Sequence, residues 1–441
     1  MAFKVSFRRV SGAWGAAVVA VAWGCSGAST DGRSISGVGA SGGASSSASG
    51  GSSAANGNPS GGARASGGGT SNGSGGVAAA SGGVAAASGG VAAASGGVAA
   101  ASGGAEAVAS GGASQVSGSG GTVTSLGGTF NDGIVSPAVP PDLTRYLTGN
   151  DADANVAPTG PGLILMGGGT DVTAAFEWWN GYITHGDIVV LRTSGADGYN
   201  SYMYEMGGAD SVETLMVTSQ DLANSDYVRY RVSHAEGVFM AGGDQGTYIS
   251  LWKGTALQDA LRVVHARGGV IGGTSAGLAV LGEFVYSALA GSAVSSGALA
   301  DPFSCDITLD RGFLAFPALK NVITDTHFAQ RDRFGRLMSF VGRTIVEGWA
   351  TTSYGVGVSE ATAIVIDPQG LGKVLGANQA YIVEGAKVPE RCQVGQSLTF
   401  KDLRYARLQD GDTVQFPLGA NTPLPLTVSA DAGTLTPASP Y

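Results

Sequence analysis

The apolar positions of this chain follow two regimes that meet near residue 155. From residue 162 onward, runs of contiguous apolar residues recur at 163–166, 187–191, 214–217, 237–241, 269–271 and 321–324. Because these runs are continuous and not alternating, they predict strands of a parallel sheet covered on both faces. Helix-like spans lie between them, at 247–267 and 327–341. The alternation predicts an α/β fold with a doubly wound, mostly parallel sheet. In such a sheet functional groups gather beyond the carboxyl ends of the strands. After residue 355 the runs shorten (355–358, 361–366, 372–375 and 380–383) and Gly and Pro punctuate them. The stretch 402–416, with an Asp410-Gly411-Asp412 turn, belongs to small C-terminal β additions expected from about residue 385.

Upstream the pattern vanishes. Glycine accounts for 75 of 441 residues and is concentrated in the first third. Between Ser34 and Asn131 the only charged residues are Arg64 and Glu106. Such a segment buries too little apolar surface to offset its ordering entropy, so 26–155 is expected to be a disordered Gly/Ser/Ala-rich linker and 156–441 the folded domain, which carries any chemistry. Within the linker, 74–101 is four copies of Ser-Gly-Gly-Val-Ala-Ala-Ala. Two adjacent glycines and a single Val per unit give no coiled-coil seam, so the repeats read as a flexible tether or as a tolerated expansion.

Residues 1–25 have the order of an export signal: Lys4, Arg8 and Arg9, then a mostly apolar core ending at Gly24-Cys25. The lone cysteine after a small residue resembles a bacterial lipoprotein signal, with Cys25 lipidated and serving as a membrane anchor. Plain secretion stays open. The expected location is secreted or outer-surface lipoprotein of a bacterium. If Cys25 is lipidated, Cys305 and Cys392 remain. They form either one disulfide or two buried thiols, which spacing does not decide. A net charge of −9 without a basic patch argues against nucleic acid as a partner.

The sharpest chemical signal is Gly273-Thr274-Ser275-Ala276-Gly277, which fits G-x-S-x-G between an apolar run and a helix-like one. Small neighbours permit a sharp strand-to-helix turn that presents a serine, and the helix N-terminus offers N–H groups to an oxyanion. Ser275 is therefore a candidate nucleophile, although a Gly-rich turn without chemistry has the same pattern. A base is needed, and there are four histidines. His185 and His234 precede strands, and His265 lies in the helix-like span before the serine strand. Only His327 follows a strand, at the same predicted edge as Ser275 and as Gly242-Gly243-Asp244-Gln245. The helix predicted from His327 carries Arg331, Arg333 and Arg336, a solvated face or a carboxylate-reading one. No His/Cys cluster has metal-ligand spacing, so neither metal nor other cofactor is expected.

Four segments occur in order: Gly242-Gly243-Asp244-Gln245, Gly272 to Gly277, Asp325-x-His327-Phe328-x-x-Arg331-x-Arg333-x-x-Arg336-Leu337, and Gly355-x-Gly357-x-x-Glu360-x-Thr362-Ala363. Together they resemble the cyanophycinases, of the serine peptidase family that also holds the aspartyl dipeptidases, over roughly 160–385. The resemblance implies a flavodoxin-like sheet, as in class I glutamine amidotransferases, and a homodimer. It implies Ser275 as nucleophile, His327 as base and Glu360 as the acid orienting it. It also implies oxyanion donors at Ala276 and at Gly243 or Asp244, and substrate contacts at Gln245, Asp325, Thr326, Arg331, Arg333 and Arg336. Ser359 stands where an acidic residue often precedes the glutamate, and Thr326 where some members have glutamine. The implied substrate is cyanophycin, a poly-aspartate whose β-carboxyls each carry an arginine, or β-aspartyl-arginine peptides. An aspartyl or isoaspartyl dipeptidase, an amidase for another secreted substrate and a non-catalytic surface lipoprotein are the alternatives.

Overall fold

A computed structural model describes residues 135–441. The export signal with Cys25, the repeats and most of the expected linker lie outside the described residues. The strands in chain order are β1 (Thr144–Gly149), β2 (Gly162–Met166), β3 (Asp187–Arg192), β4 (Ser211–Met216), β5 (Gly237–Met240), β6 (Val270–Thr274), β7 (Phe284–Tyr286), β8 (Leu309–Arg311) and β9 (Val322–Asp325). There follow β10 (Ser353–Val358), β11 (Thr362–Ile366), β12 (Leu371–Gly376), β13 (Ala380–Gly385), β14 (Phe400–Leu408), β15 (Thr413–Gln415), β16 (Leu426–Asp431) and β17 (Thr434–Thr436).

The fold is α/β with a parallel core. Strands β4-β3-β5-β6-β2 run parallel in that spatial order, and β1 on one side and β11, β12 and β15 on the other complete a nine-stranded sheet, each paired antiparallel with its neighbour. Neighbouring residues of each core strand are all buried because both faces are covered. Leu163, Leu165, Val189 and Leu191 enter one cluster, whereas Ile164, Met166, Ile188 and Val190 enter another with Phe176 and Trp179 of the helix Thr173–Ile183. That two-sided burial is what the continuous apolar runs encode.

Beyond the parallel core lies a second, eight-stranded sheet, ordered β17-β16-β14-β13-β10-β9-β7-β8, in which only β10-β9 and β9-β7 are parallel. The helix Phe334–Val346 packs Phe334, Leu337, Phe340 and Val341 into the cluster beneath it. The C-terminal strands add to both sheets: β14, β16 and β17 extend this one beyond β13, and β15 closes the edge of the first.

Three further differences have local causes. The folded chain begins before residue 156, because β1 pairs with β4 along its whole length. The span 247–267 is two helices, Gln245–Trp252 and Ala256–Ala266, interrupted beside Gly254 at φ 76°. The helix expected from His327 starts at Phe334, because His327 and Asp332 have φ of 46° and 47°. Cys392 is a buried free thiol, so it is not joined to Cys305. Among the described residues no helix is long and apolar enough to cross a membrane.

Candidate active site

Ser275 directly follows β6 and stands at the N-cap position of the helix Ala276–Ala279, at φ 52° and ψ −116°. A non-glycine residue reaches such angles only where its surroundings impose them. Here the cause is close packing: a Cβ on Gly277 would lie 1.9 Å from the carbonyl oxygen of Met240 on β5. The helix thus presses directly on the neighbouring strand, and the serine is left half-buried at the bend.

His327 follows β9, which belongs to the other sheet, and its amide donates to the Gly167 carbonyl at 2.8 Å. Its Nε2 lies 2.7 Å from Ser275 Oγ, and its Nδ1 lies 2.6 Å from Glu360 Oε1. A carboxylate only accepts, so Nδ1 carries the proton and Nε2 presents a lone pair to the serine hydroxyl. Glu360 sits where the chain crosses from β10 in one sheet to β11 in the other. Its backbone is held on both sides, the amide donating to Gln330 Oε1 at 3.0 Å and the carbonyl accepting from Asn378 Nδ2 at 2.8 Å. Burial, above all, holds the His327 pKa below its ordinary value; Glu360 opposes this, and the charges of Arg331 and Arg333 reinforce it.

Ser275 and His327 open into a cleft of about 310 Å³ also lined by Gln245, Ser292, Arg331 and Arg333. Gln245 Nε2 donates to the Tyr286 carbonyl at 3.3 Å. Asp244 lines the same cleft, but its carboxylate caps the helix Gln245–Trp252, accepting from the amides of Gly246 and Thr247. Gly243, three residues after β5, lines the cleft with Ser275, and Ala276 opens the short helix.

The three arginines are not equivalent. Arg336 is buried at the cleft floor, donating from Nε to Asp325 Oδ2 at 2.7 Å and from Nη2 to Oδ1 at 2.5 Å. Its guanidinium also lies 5.0 Å from the ring centre of Tyr286. Asp325 is thereby engaged with Arg336, with Arg333 Nη1 a further 3.5 Å away, so it does not present a vacant carboxylate to a ligand guanidinium. Arg333 donates to the Thr326 carbonyl at 2.8 Å and to its hydroxyl at 3.0 Å. Burial lowers the Arg333 pKa to about 10, still leaving it cationic at neutral pH. Arg331 reaches outward, its side chain 53% exposed and its Nε 3.9 Å from Glu360. Ser359 Oγ accepts from the Ala329 amide at 3.4 Å, so it anchors this segment instead of extending the acidic relay.

One component escaped the reading of the sequence. Gly167 to Gly169, directly after β2, line the back of the relay. Gly168 has φ 96°, and a Cβ there would stand 2.5 Å from His327 Cε1. The three consecutive glycines after an apolar run were the available signal. His234 and His265 line other cavities. Among the described residues no group of three His, Cys, Asp or Glu could hold a metal ion.

Residues 197–371 match the model of peptidase family S51. The cyanophycinase of Trichormus variabilis is 31% identical over 229 residues, 51% of this chain and 70% of that protein. The cyanophycinase of Synechococcus elongatus is 31% identical over 210 residues, 46% of this chain and 60% of that protein, so the match spans about two thirds of these relatives' lengths. A solved peptidase from an acI-B1 actinobacterium is 18% identical with a TM-score of 0.41, covering 58% of this chain and 97% of that one. The chain belongs to peptidase family S51 and is a serine-type peptidase related to the cyanophycinases.

Proposed function

We propose that the protein cleaves cyanophycin to β-aspartyl-arginine dipeptides through Ser275, His327 and Glu360. The observation that carries this reading is the unbroken relay from Ser275 Oγ through His327 to Glu360, opening into a cleft that also holds Arg331 and Arg333. His327 Nε2 takes the hydroxyl proton as Ser275 Oγ attacks the scissile carbonyl, and the imidazolium then protonates the leaving amine. Glu360 keeps Nδ1 protonated and offsets the positive charge that develops on the ring. The Ala276 amide and that of Gly243 or Asp244 receive the oxyanion; loss of one such donor costs about 3 kcal/mol in the barrier. Water releases the acyl group by the reverse proton path.

Substrate choice rests on charge. Every arginine branch of cyanophycin ends in an α-carboxylate, and an Arg fork binds that group bidentately. Arg331 is exposed enough to do so, and Arg333 lines the cleft behind it. Arg336 and Asp325 serve as the paired floor beneath them. Gln245 and Thr326 border the same space, the latter by holding Arg333.

The test is dipeptide release from insoluble cyanophycin, set against hydrolysis of Asp-X dipeptides. Wild type should release β-Asp-Arg, Ser275→Ala should lose at least about 1,000-fold in kcat, and Arg331→Ala should lose mainly KM. Preference for Asp-X dipeptides would instead assign an aspartyl dipeptidase. Absence of Ser275 labelling by a serine-directed inhibitor would leave only a non-catalytic role. We also propose export through residues 1–25 with lipid at Cys25; wild type should fractionate with membranes and Cys25→Ala should not.

A further inference from the structure

We propose that Tyr441 is a positioning residue that clamps the arginine-bearing segment 328–334 against the second sheet. The inference rests on the reading above in one respect only, that Arg331 and Arg333 meet the substrate.

The segment has little regular structure of its own. Three backbone bonds fold it into turns: Arg331 N to His327 O at 3.0 Å, Asp332 N to Ala329 O at 3.2 Å, and Arg333 N to Phe328 O at 3.0 Å. Asp332 sits between the two arginines at φ 47°, an angle that a non-glycine residue adopts only when held there. Tyr441 supplies a hold from both sides. Its hydroxyl accepts from the Phe334 amide at 2.8 Å and donates to Asp332 Oδ1 at 3.0 Å. The first bond satisfies an amide at the start of the helix Phe334–Val346, a group with no partner inside the helix. The second ties down the strained residue between the arginines.

The ring does the rest. Its centre lies 6.0 Å from that of Phe328, 5.9 Å from Phe334 and 5.8 Å from Tyr381, all close to edge-on. Phe328 opens the segment and Phe334 closes it, so one aromatic side chain spans both ends and the middle. The segment carrying Tyr441 is anchored in turn, because Tyr405 Oη on β14 donates to the Pro440 carbonyl at 3.2 Å. None of these contacts touches Ser275 or Glu360. Tyr441 therefore acts first on where the arginines point, and reaches the proton relay only at second hand, through Gln330 of the same segment, whose Oε1 accepts from the Glu360 amide.

Two measurements on the full-length protein test the clamp. The first needs no substrate: limited trypsin digestion, reading cleavage after Arg331 or Arg333. Wild type should resist, Tyr441→Phe should be cut faster by about 30-fold for the two hydrogen bonds that its hydroxyl makes, and Tyr441→Ala faster still. The second is steady-state kinetics on a carboxylate-bearing substrate. Tyr441→Phe should raise KM with kcat within about twofold and leave Ser275 labelling by a neutral inhibitor unchanged. If trypsin cuts Tyr441→Ala no faster than wild type, the clamp is overturned. It is equally overturned if kcat and labelling fall together with KM in Tyr441→Phe, since that is general loss of structure. Faster cutting with no KM change in either Tyr441→Ala or Arg331→Ala upholds the clamp and removes the substrate role of the arginines.

Discussion

Ser275 and His327, the two side chains that exchange a proton in the proposed mechanism, both have positive φ, at 52° and 46°. Such conformations cost on the order of 1–3 kcal/mol each for non-glycine residues, and the packing around them must supply it. The same packing tunes the base. Burial is the leading cause that lowers the His327 pKa, with Arg331 and Arg333 adding to it and Glu360 opposing. The reaction needs a neutral imidazole, so activity should fall as pH drops through that lowered pKa. The acid limb of kcat/KM, read on a neutral ester, should lie below the ordinary histidine value of about 6.5. Arg331→Gln removes a cation and should move the limb upward, whereas Glu360→Gln removes the opposing charge and should move it downward. A limb that stays in place in both variants would mean that another group controls the rate. Gly168→Ala tests the fit around the ring: the new Cβ would stand 2.5 Å from His327 Cε1, on backbone at φ 96°. We expect at least a tenfold loss of kcat, by the usual penalty of a displaced base.

At the scale of elements, what could be read in advance was what local pattern encodes. The core strands were visible because two-sided burial leaves a continuous apolar run, and the serine turn was visible because all its small residues lie within five positions. The arginine segment departs from its local pattern for the opposite reason. The apolar spacing of the helix Phe334–Val346 runs back to Phe328, but positive φ at His327 and Asp332 breaks the chain before it. Gly168 could not be assigned to the site, because its partner His327 is brought to it only by the joining of two sheets. The second sheet was hidden for the same physical reason, its antiparallel pairs linking short strands whose apolar runs do not say what they pair with. The serine turn offers a stability test at this scale. A Cβ on Gly277 would meet the backbone oxygen of Met240 at 1.9 Å, and backbone yields less readily than a side chain. Gly277→Ala should therefore lower unfolding stability by about 2 kcal/mol, in the range of overpacked sites. A urea midpoint equal to that of wild type would show that the helix slides away at no cost.

For the molecule as a whole, the first described strand carries more weight than its place at a sheet edge implies. Strand β1 pairs with β4 from Thr144↔Met216 to Gly149↔Ser211, covering a strand whose residues are all buried. Arg145 of β1 also completes a charge network. Its Nε lies 2.5 Å from Glu213 Oε1, and Arg231 Nε lies 2.5 Å from the other oxygen of that fully buried carboxylate. Tyr227 Oη adds a bond to Glu213 Oε1 at 2.9 Å. Removing β1 would take away one of two cations facing Glu213 and expose an apolar strand edge, the arrangement that invites pairing with another chain. Breaking a buried ion pair by deleting one partner typically costs about 3–5 kcal/mol. A chain starting at residue 156 should therefore be markedly less stable than one starting at 135, and should aggregate. Arg145→Met in the full-length chain separates the two effects, since it keeps the edge covered while removing the charge. If the chain starting at 156 matches the longer one in urea midpoint and in monodispersity, β1 is a passive edge and the sheet stands complete from β4 onward.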